Sequence, residues 1–275
     1  SNSKSNLYAL KAWGIMPFIN GTLELGTEGT LTNNRQNYFM ENEDFADDLP
    51  NNLTESDQTG LSVYASYARK WNHFSLNGGL RYEHVNFTYF ANGVKADDTS
   101  KKYNNLFPSL SLSFQKGKLS VSLSYRPAGT SPSYWQLRSN MSYNNNYSYE
   151  GGNPKLQRNI NHNYGLLLSY GDFLLDCTYR YKKDEIMLYQ QHFANKPIIL
   201  GSFMNHDRQS FSADFSYSPT IAIWKPSFTV GLFAQNMHYK GASYNSPMFT
   251  YMWKNLLTFP NAWTITFNVD GNSYG

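Results

Sequence analysis

Leu106-Phe107-Pro108-Ser109-Leu110-Ser111-Leu112-Ser113-Phe114-Gln115-Lys116-Gly117-Lys118-Leu119-Ser120-Val121-Ser122-Leu123-Ser124-Tyr125-Arg126 consists of two alternating runs hinged on Lys116-Gly117. Leu110, Leu112, Phe114, Leu119, Val121, Leu123 and Tyr125 share one face, and serine stands at nearly every position between them. Successive side chains of a β-strand point to opposite faces, so the stretch predicts a hairpin with one apolar and one polar side.

The same period returns along most of the chain, with charged groups on the polar side. Phe173, Leu175, Cys177, Tyr179 and Tyr181 alternate with Asp176, Thr178, Arg180 and Lys182. Phe211, Ala213, Phe215 and Tyr217 alternate with serines and Asp214, and Trp263, Ile265, Phe267 and Val269 with Thr264, Thr266, Asn268 and Asp270. Leu23, Leu25 and Leu31 stand against Glu24, Glu28 and Thr30. Strands of soluble sandwiches also alternate, but they are commonly about five or six residues long. Several runs here reach about ten residues, the length that crosses a bilayer at a tilt.

Tight turns are predicted near Pro17 to Asn20, Trp71-Asn72, Lys116-Gly117, Gly171-Asp172, Pro219 to Ile223 and Pro260-Asn261. Longer polar stretches lie between them: Asn33 to Asp57, Ala91 to Asn104, Pro127 to Arg158, Gln191 to His206 and Gly241 to Asn245. Short and long connections alternate through about twelve strands, as in bacterial outer-membrane barrels, whose short turns are periplasmic. The fold class read from this pattern is all-β, an antiparallel up-and-down transmembrane β-barrel. Trp71, Trp224 and Trp263 sit at or beside tight turns and Trp13 shortly before one, where amphipathic rings would form a girdle at the lipid headgroups. Ordinary core packing is the competing reading for any one of them.

Charged residues make up only 16% of the chain, below the roughly 25% of soluble domains, and aromatics 17%. Nothing in the pattern marks a linker, so residues 1–275 are read as one unit. A mean hydropathy of −0.57 and the lack of a long apolar run exclude helical spans but not a barrel, in which half of each strand faces a wet lumen. The net charge of +3 comes without a basic stripe, so no nucleic acid is expected as a partner. Cys177 is the single cysteine, which rules out an intrachain disulfide and leaves a small hydrophobe on the apolar side.

The six histidines, His73, His84, His162, His192, His206 and His238, contain no pair at ligand spacing. Glu41, Glu43, Asp44, Asp47 and Asp48 match no calcium-loop spacing and read as a solvated acidic loop. Neither a metal site nor a cofactor is expected. No nucleophile elbow, phosphate loop or dinucleotide fingerprint is present, so the chain is not read as an enzyme.

Two groups of residues are candidates for function. Arg81 and Glu83 share the side of Ser75 and Asn77, and with Asp176 and Arg180 they are expected to face the lumen, as wall ion pairs or as ligand contacts. The long loop carries Tyr134, Trp135, Arg138, Tyr143, Tyr147 and Tyr149 among asparagines. Aromatic faces stack on sugars or planar ligands while amides bond hydroxyls, so this loop is the expected binding site for a small molecule or glycan. Packing over the barrel mouth, or contact with lipopolysaccharide, is the alternative. Within the same loop, Gly152-Asn153-Pro154 is a turn signal.

Ser1-Asn2-Ser3 leads directly into strand sequence and Ser273-Tyr274-Gly275 provides no terminal aromatic strand, so an excised or processed piece is expected. Open sheet edges cannot face lipid, and further strands, oligomerisation or direct closure would have to cover them.

Gly79-Leu80-Arg81-Tyr82-Glu83, Asn105-Leu106-Phe107-Pro108-Ser109-Leu110, Ser124-Tyr125-Arg126, Ser131-Pro132-Ser133-Tyr134-Trp135-Gln136-Leu137 and Glu150-Gly151-Gly152-Asn153-Pro154-Lys155-Leu156 occur in that order. As a set they resemble the outer-membrane β-barrel domain of Bacteroidetes TonB-dependent receptor-like proteins, and Leu7 to Lys11 through Pro17-Phe18 to Leu25-Gly26 is similar too. Leu156-Gln157-Arg158 departs from the family, which usually has a proline after the leucine, and the asparagine-rich stretch Asn140 to Asn146 is unusual. The resemblance implies uptake of a scarce nutrient across the bacterial outer membrane, powered through TonB. It also implies a barrel of about 22 strands around an amino-terminal plug, of which this chain would be an interior part without the plug. The implied partners are outer-membrane lipid, the TonB complex through the missing plug region, and an unknown small-molecule or glycan ligand. Two other readings stay open: a twelve-strand outer-membrane phospholipase-like enzyme using His84 or His162 with a serine, and a soluble carbohydrate-binding or adhesive β protein.

Overall fold

The computed structural model describes residues 2–38, 52–193, 196–239, 241–245, 247–260 and 263–274. The acidic stretch from Glu41 to Asp48 falls outside them. Strands run β1 (Asn2–Phe18), β2 (Gly21–Tyr38), β3 (Asn52–Trp71), β4 (Phe74–Ala91), β5 (Val94–Lys95), β6 (Lys101–Lys116), β7 (Leu119–Thr130), β8 (Met141–Asn145) and β9 (Ser148–Gly151). They continue as β10 (Asn159–Tyr170), β11 (Phe173–His192), β12 (Ile199–Tyr217), β13 (Trp224–Tyr239), β14 (Ala242–Tyr244), β15 (Met248–Thr258) and β16 (Thr264–Tyr274). The main sheet follows chain order, β1-β2-β3-β4-β6-β7-β10-β11-β12-β13-β15-β16, antiparallel at every step. The four short strands hang from its loop end, and β9 pairs in parallel with β12.

Register sorts the side chains. Leu112 pairs with Leu76 on one side and Leu123 on the other, and the row continues through Leu166, Cys177, Ala213 and Leu232. One step away, Ser113 pairs with Ser75 and Ser122, and the serine hydroxyls of 113 and 122 lie 3.0 Å apart. A slip of one residue would put every leucine on the serine side, so the alternation fixes the pairing.

The apolar rows lie bare. Leu110 and Leu123 are each 50% exposed and Val230 59%, whereas Asn34, Thr54, Ser56, Ser62, Phe87, Tyr89 and Phe107, all on the opposite side, are buried. This inverts a soluble protein, which rarely exposes a contiguous apolar patch above a few hundred Å². Hydrocarbon is the solvent that removes the contradiction.

Aromatic rings bound the bare band at both ends. Near the tight turns Trp71 stacks on Phe74, Phe173 on Tyr217 and Phe228 on Trp253, and Phe74 meets Phe114 at a tilt of 50°. Toward the loops Tyr125 stacks on Tyr164 at 4.7 Å, and His162 lies between Tyr125 and Tyr181. From Phe74 to Tyr82, β4 covers about 26 Å, close to the ~25 Å apolar band of outer-membrane barrels. Trp224 belongs to the girdle and donates to Asn255 at 2.9 Å. Trp13 does not: it pairs with Gly26 on the polar side, 5.5 Å from the Lys11 ammonium. Both rows of β1 are rich in apolar residues, so only its pairing with β2 decides which way Trp13 faces.

The tight turns fall where predicted, and left-handed φ values mark them at Asn20 (57°), Asn72 (48°), Gly117 (59°) and Gly171 (58°). Such turns match the twist of the flanking strands. Pro260-Asn261 lies partly outside the described residues. The long connections are shorter than the sequence suggests: β2 and β3 stay paired out to Tyr38 and Asn52, β6 begins at Lys101, and β12 at Ile199. Beyond the lipid both sides of a strand are wet, so alternation vanishes while the backbone ladder continues.

Leu110→Arg, at the middle of the bare band opposite Gly78, is expected to cost about 2–4 kcal/mol, while Ser111→Arg on the polar side stays within about 0.5 kcal/mol. Chemical unfolding of the protein reconstituted in lipid vesicles distinguishes them; equal costs would contradict the side assignment.

Candidate functional site

Charges on the polar side are joined across strands. Arg81 donates through Nε to Glu83 at 2.6 Å and through Nη2 to Glu28 at 3.3 Å, linking β4 to β2 across β3. Between them Tyr64 of β3 donates to Glu24 at 3.0 Å, and its ring lies against Gly26, where any Cβ would collide. The Lys11 ammonium and Arg81 guanidinium each sit 5.9 Å from the Tyr64 ring. Arg158, 7% exposed, reaches in from the segment before β10 to pair with Glu83. It also bonds Asn105 at 3.1 Å and the Gly129 carbonyl at 3.3 Å, and rests on the Phe107 ring. Glu83 is thereby held by two guanidiniums, the arrangement in which partly buried charges offset their lost hydration.

Asp176 and Arg180 stand on the same side. Asp176 is exposed opposite Asp214, and Arg180 is exposed between Asn163 and Ser210. A second network, unforeseen from sequence, forms at a bulge where β11 gains a residue between Lys182 and Glu185. There Glu185 accepts from Lys182 at 2.5 Å and from Arg208 at 2.6 and 2.8 Å. The bulge is what brings Lys182 and Glu185 together, and no motif announces it.

The segment between β7 and β10 folds back over the polar side. Leu137 and Leu156 close on Phe87, Tyr89 and Phe203, with Tyr134 and Ile186 packed around them. The turn at Asn153 sets the path: its amide nitrogen donates to Gln136 at 2.6 Å and its side chain to the Phe203 carbonyl at 2.9 Å. Gly152 is pressed so closely on the Gln136 and Arg138 carbonyls that a Cβ does not fit. Lys101 donates to the carbonyls of Pro154 and Leu156 from beneath.

Trp135 packs edge-on against Phe203 at 5.1 Å and carries the Arg138 guanidinium at 4.8 Å. Arg138 is 9% exposed and donates to the Glu150 carbonyl at 3.2 Å. Tyr143 and Tyr149 meet on the β8–β9 hairpin, with Tyr149 buried beside Ile198 and Phe193, while Tyr147 is 71% exposed at its tip. Tyr134, Trp135 and Arg138 therefore gather around Phe203, Tyr143 and Tyr149 form a separate pair, and Tyr147 stands outside both groups. Phe203 is the residue that sequence reasoning missed, because it lies far along the chain in an unpatterned stretch.

His84 and His162 lie in apolar-side registers. Their ring nitrogens meet Asn104 at 2.7 Å and the Tyr125 hydroxyl at 3.0 Å respectively. Neither meets a serine among the described residues.

The sequence matches the model of the Outer membrane protein beta-barrel family over residues 1–274. No curated protein matches the chain. Among solved structures, the copper transporter OprC superposes with a TM-score of 0.61 at 12% identity, over 98% of this chain and 48% of that one. The FrpB iron transporter from Neisseria meningitidis (F5-1 variant) gives 0.58 at 16% identity, over 98% and 43%. The siderophore receptor PirA from Pseudomonas aeruginosa gives 0.51 at 12% identity, over 99% and 57%. Identities this low carry the fold alone, that of TonB-dependent receptor barrels, and the chain spans about half the length of these proteins.

Arg158→Met is expected to cost about 2 kcal/mol, and adding Glu83→Gln should cost much less than it does alone; additive losses in a double-mutant cycle would deny the pair. Burial lowers the Lys101 amine from 10.5 to about 8. Its folded value lies below its unfolded one, so docking of the 131–158 segment is weakest below about pH 8 and strengthens as pH rises toward 10.5. Protease protection of that segment should follow this window and lose it in Lys101→Met.

Proposed function

This chain belongs to the Outer membrane protein beta-barrel family, and we propose that it forms part of the barrel wall of a TonB-dependent receptor that imports a scarce nutrient. In this reading the outer-membrane sheet turns its polar side to the lumen and its leucine side to lipid. The observation that carries the proposal is the tied polar side: Glu28, Arg81, Glu83 and Arg158 make a wetted wall, while the 131–158 segment is anchored over its outer end. A wall facing a second protein layer has no need of linked charges along its length. Proteins with this fold include the copper transporter OprC and the FrpB iron transporter. Energy would come from TonB acting through a plug, and strands beyond this chain would complete the barrel.

Ligand contact is assigned to the same segment. Trp135, Tyr143 and Tyr147 present ring surface; Tyr134 and Tyr149 are seated in the two small cores, buried Arg138 backs the Trp135 ring and Tyr149 backs that of Tyr143. Arg81, Glu83, Asp176 and Arg180 line the passage below, the first pair as structural wall charges and the second as exposed groups that a solute or plug would meet.

Cells lacking the protein are expected to lose outer-membrane uptake of one limiting nutrient, and removal of TonB to reproduce that loss. Uptake that persists without TonB would overturn energised import. In a strain dependent on the protein, Tyr147→Ala should weaken ligand binding several-fold with folding unchanged, and Gly152→Ala should impair binding by displacing the segment.

A further inference from the structure

Above the bulge, β11 and β12 carry a cluster that neither ion-pair network uses. Met187 and Met204 are direct partners in the antiparallel ladder, and His206 stands two residues from Met204, on the same side of it. Opposed residues on one side of such a pair have Cβ atoms about 4.5–5.5 Å apart. The pairing of β12 with β13 ends at Gln209–Asn236, so the two strands part beyond that point. A cavity of about 260 Å³ opens there, lined by Met187, Met204, His206, Met237 and Tyr239 among others. Each of these five is half-buried, and the His206 ring is set edge-to-face against Tyr239 at 5.9 Å.

We propose that Met187, Met204, Met237 and His206 form a binding site for a soft monovalent metal ion of the Cu(I) or Ag(I) type. Thioethers are neutral, polarisable donors that select soft cations, and imidazole accompanies them well, whereas hard divalent ions favour carboxylates and water. No carboxylate lines the cavity. Glu185, across the ladder from His206, is already held by Lys182 and Arg208. Methionine also serves as flexible apolar filler, but filler closes a gap. Here three of the chain's eight methionines converge with a histidine around space that stays open. Their unbranched side chains have the freedom to draw in around an ion. The site does not rest on the transport reading, since it requires only the β11–β13 geometry.

Ag(I), which needs no reductant, is the probe, and Cys177→Ser in every sample removes the only thiol. Calorimetric titration of the chain in detergent is expected to show one Ag(I) bound. Met187→Leu with Met204→Leu, which preserves volume, should weaken binding at least tenfold, and His206→Gln should weaken it measurably. Met248→Leu with Met252→Leu serves as the control and should change nothing. Zn(II) in excess should not displace the silver, and Cu(I) under ascorbate should give X-ray absorption with sulfur and nitrogen neighbours. Unchanged Ag(I) affinity in the double leucine variant overturns the site, as does displacement by Zn(II). Should that variant misfold by heat-modifiable gel migration, unchanged affinity in His206→Gln overturns it in the same way.

Discussion

Hydrocarbon provides no hydrogen-bond partner, and this constraint organises the molecule. Every amide in the band between the aromatic rows must find its mate in a neighbouring strand, so the ladder has to run unbroken through the lipid. Leu112 beside Leu76 and Leu123 meets that demand and the solvent's at once: the backbone is paired and the side chain dissolves in acyl chains. Where lipid ends, the constraint relaxes. The bulge at Lys182–Glu185, the parallel β9–β12 contact and the parting of β12 from β13 all lie at the loop end. The same constraint applies to the outer edges of β1 and β16, which pair only with β2 and β15 among the described residues.

On the other side the requirement is electrostatic. A carboxylate such as Glu83 keeps its charge because two guanidiniums replace the water it has lost, one from its own strand and one from a returning segment. Arg158 thus joins wall to segment, and Lys101 does so a second time through backbone carbonyls. The 131–158 segment is rooted in the wall by these two cations and by the Phe203 cluster together, so moving it would strand a buried charge.

Most of the wall was legible from residue order. Alternating leucine and serine gave β6 and β7 their faces, and short breaks such as Trp71-Asn72, Lys116-Gly117 and Gly171-Asp172 gave the turns, because both signals are local and come from the backbone's own geometry. What sequence could not show was anything set by distant partners. Trp13 reads as a girdle residue until β2 assigns its side, since β1 is apolar on both. Strand ends beyond the lipid are hidden because wet strands and wet loops have the same composition. The loop aromatics were found as a group, but their division into an anchored set around Phe203, a second pair at Tyr149 and a solvent-facing Tyr147 depends on contacts across the fold. The Met187–Met204–His206 cluster escaped because Met187 meets the other two only through the ladder, offset by the extra residue of the bulge.

Each main strand lies beside the strands nearest to it in sequence. Two-residue turns close four of the eleven neighbouring pairs, β1–β2, β3–β4, β6–β7 and β10–β11, with little loss of chain entropy, so these registers can be set hairpin by hairpin while the chain is still assembling. The joining of β7 to β10 has the longest connection, and it must wait for the whole of the 131–158 segment to be gathered in. That step divides the chain into an early half ending at β7 and a late half beginning at β10. The order of assembly is therefore written into the spacing of its turns.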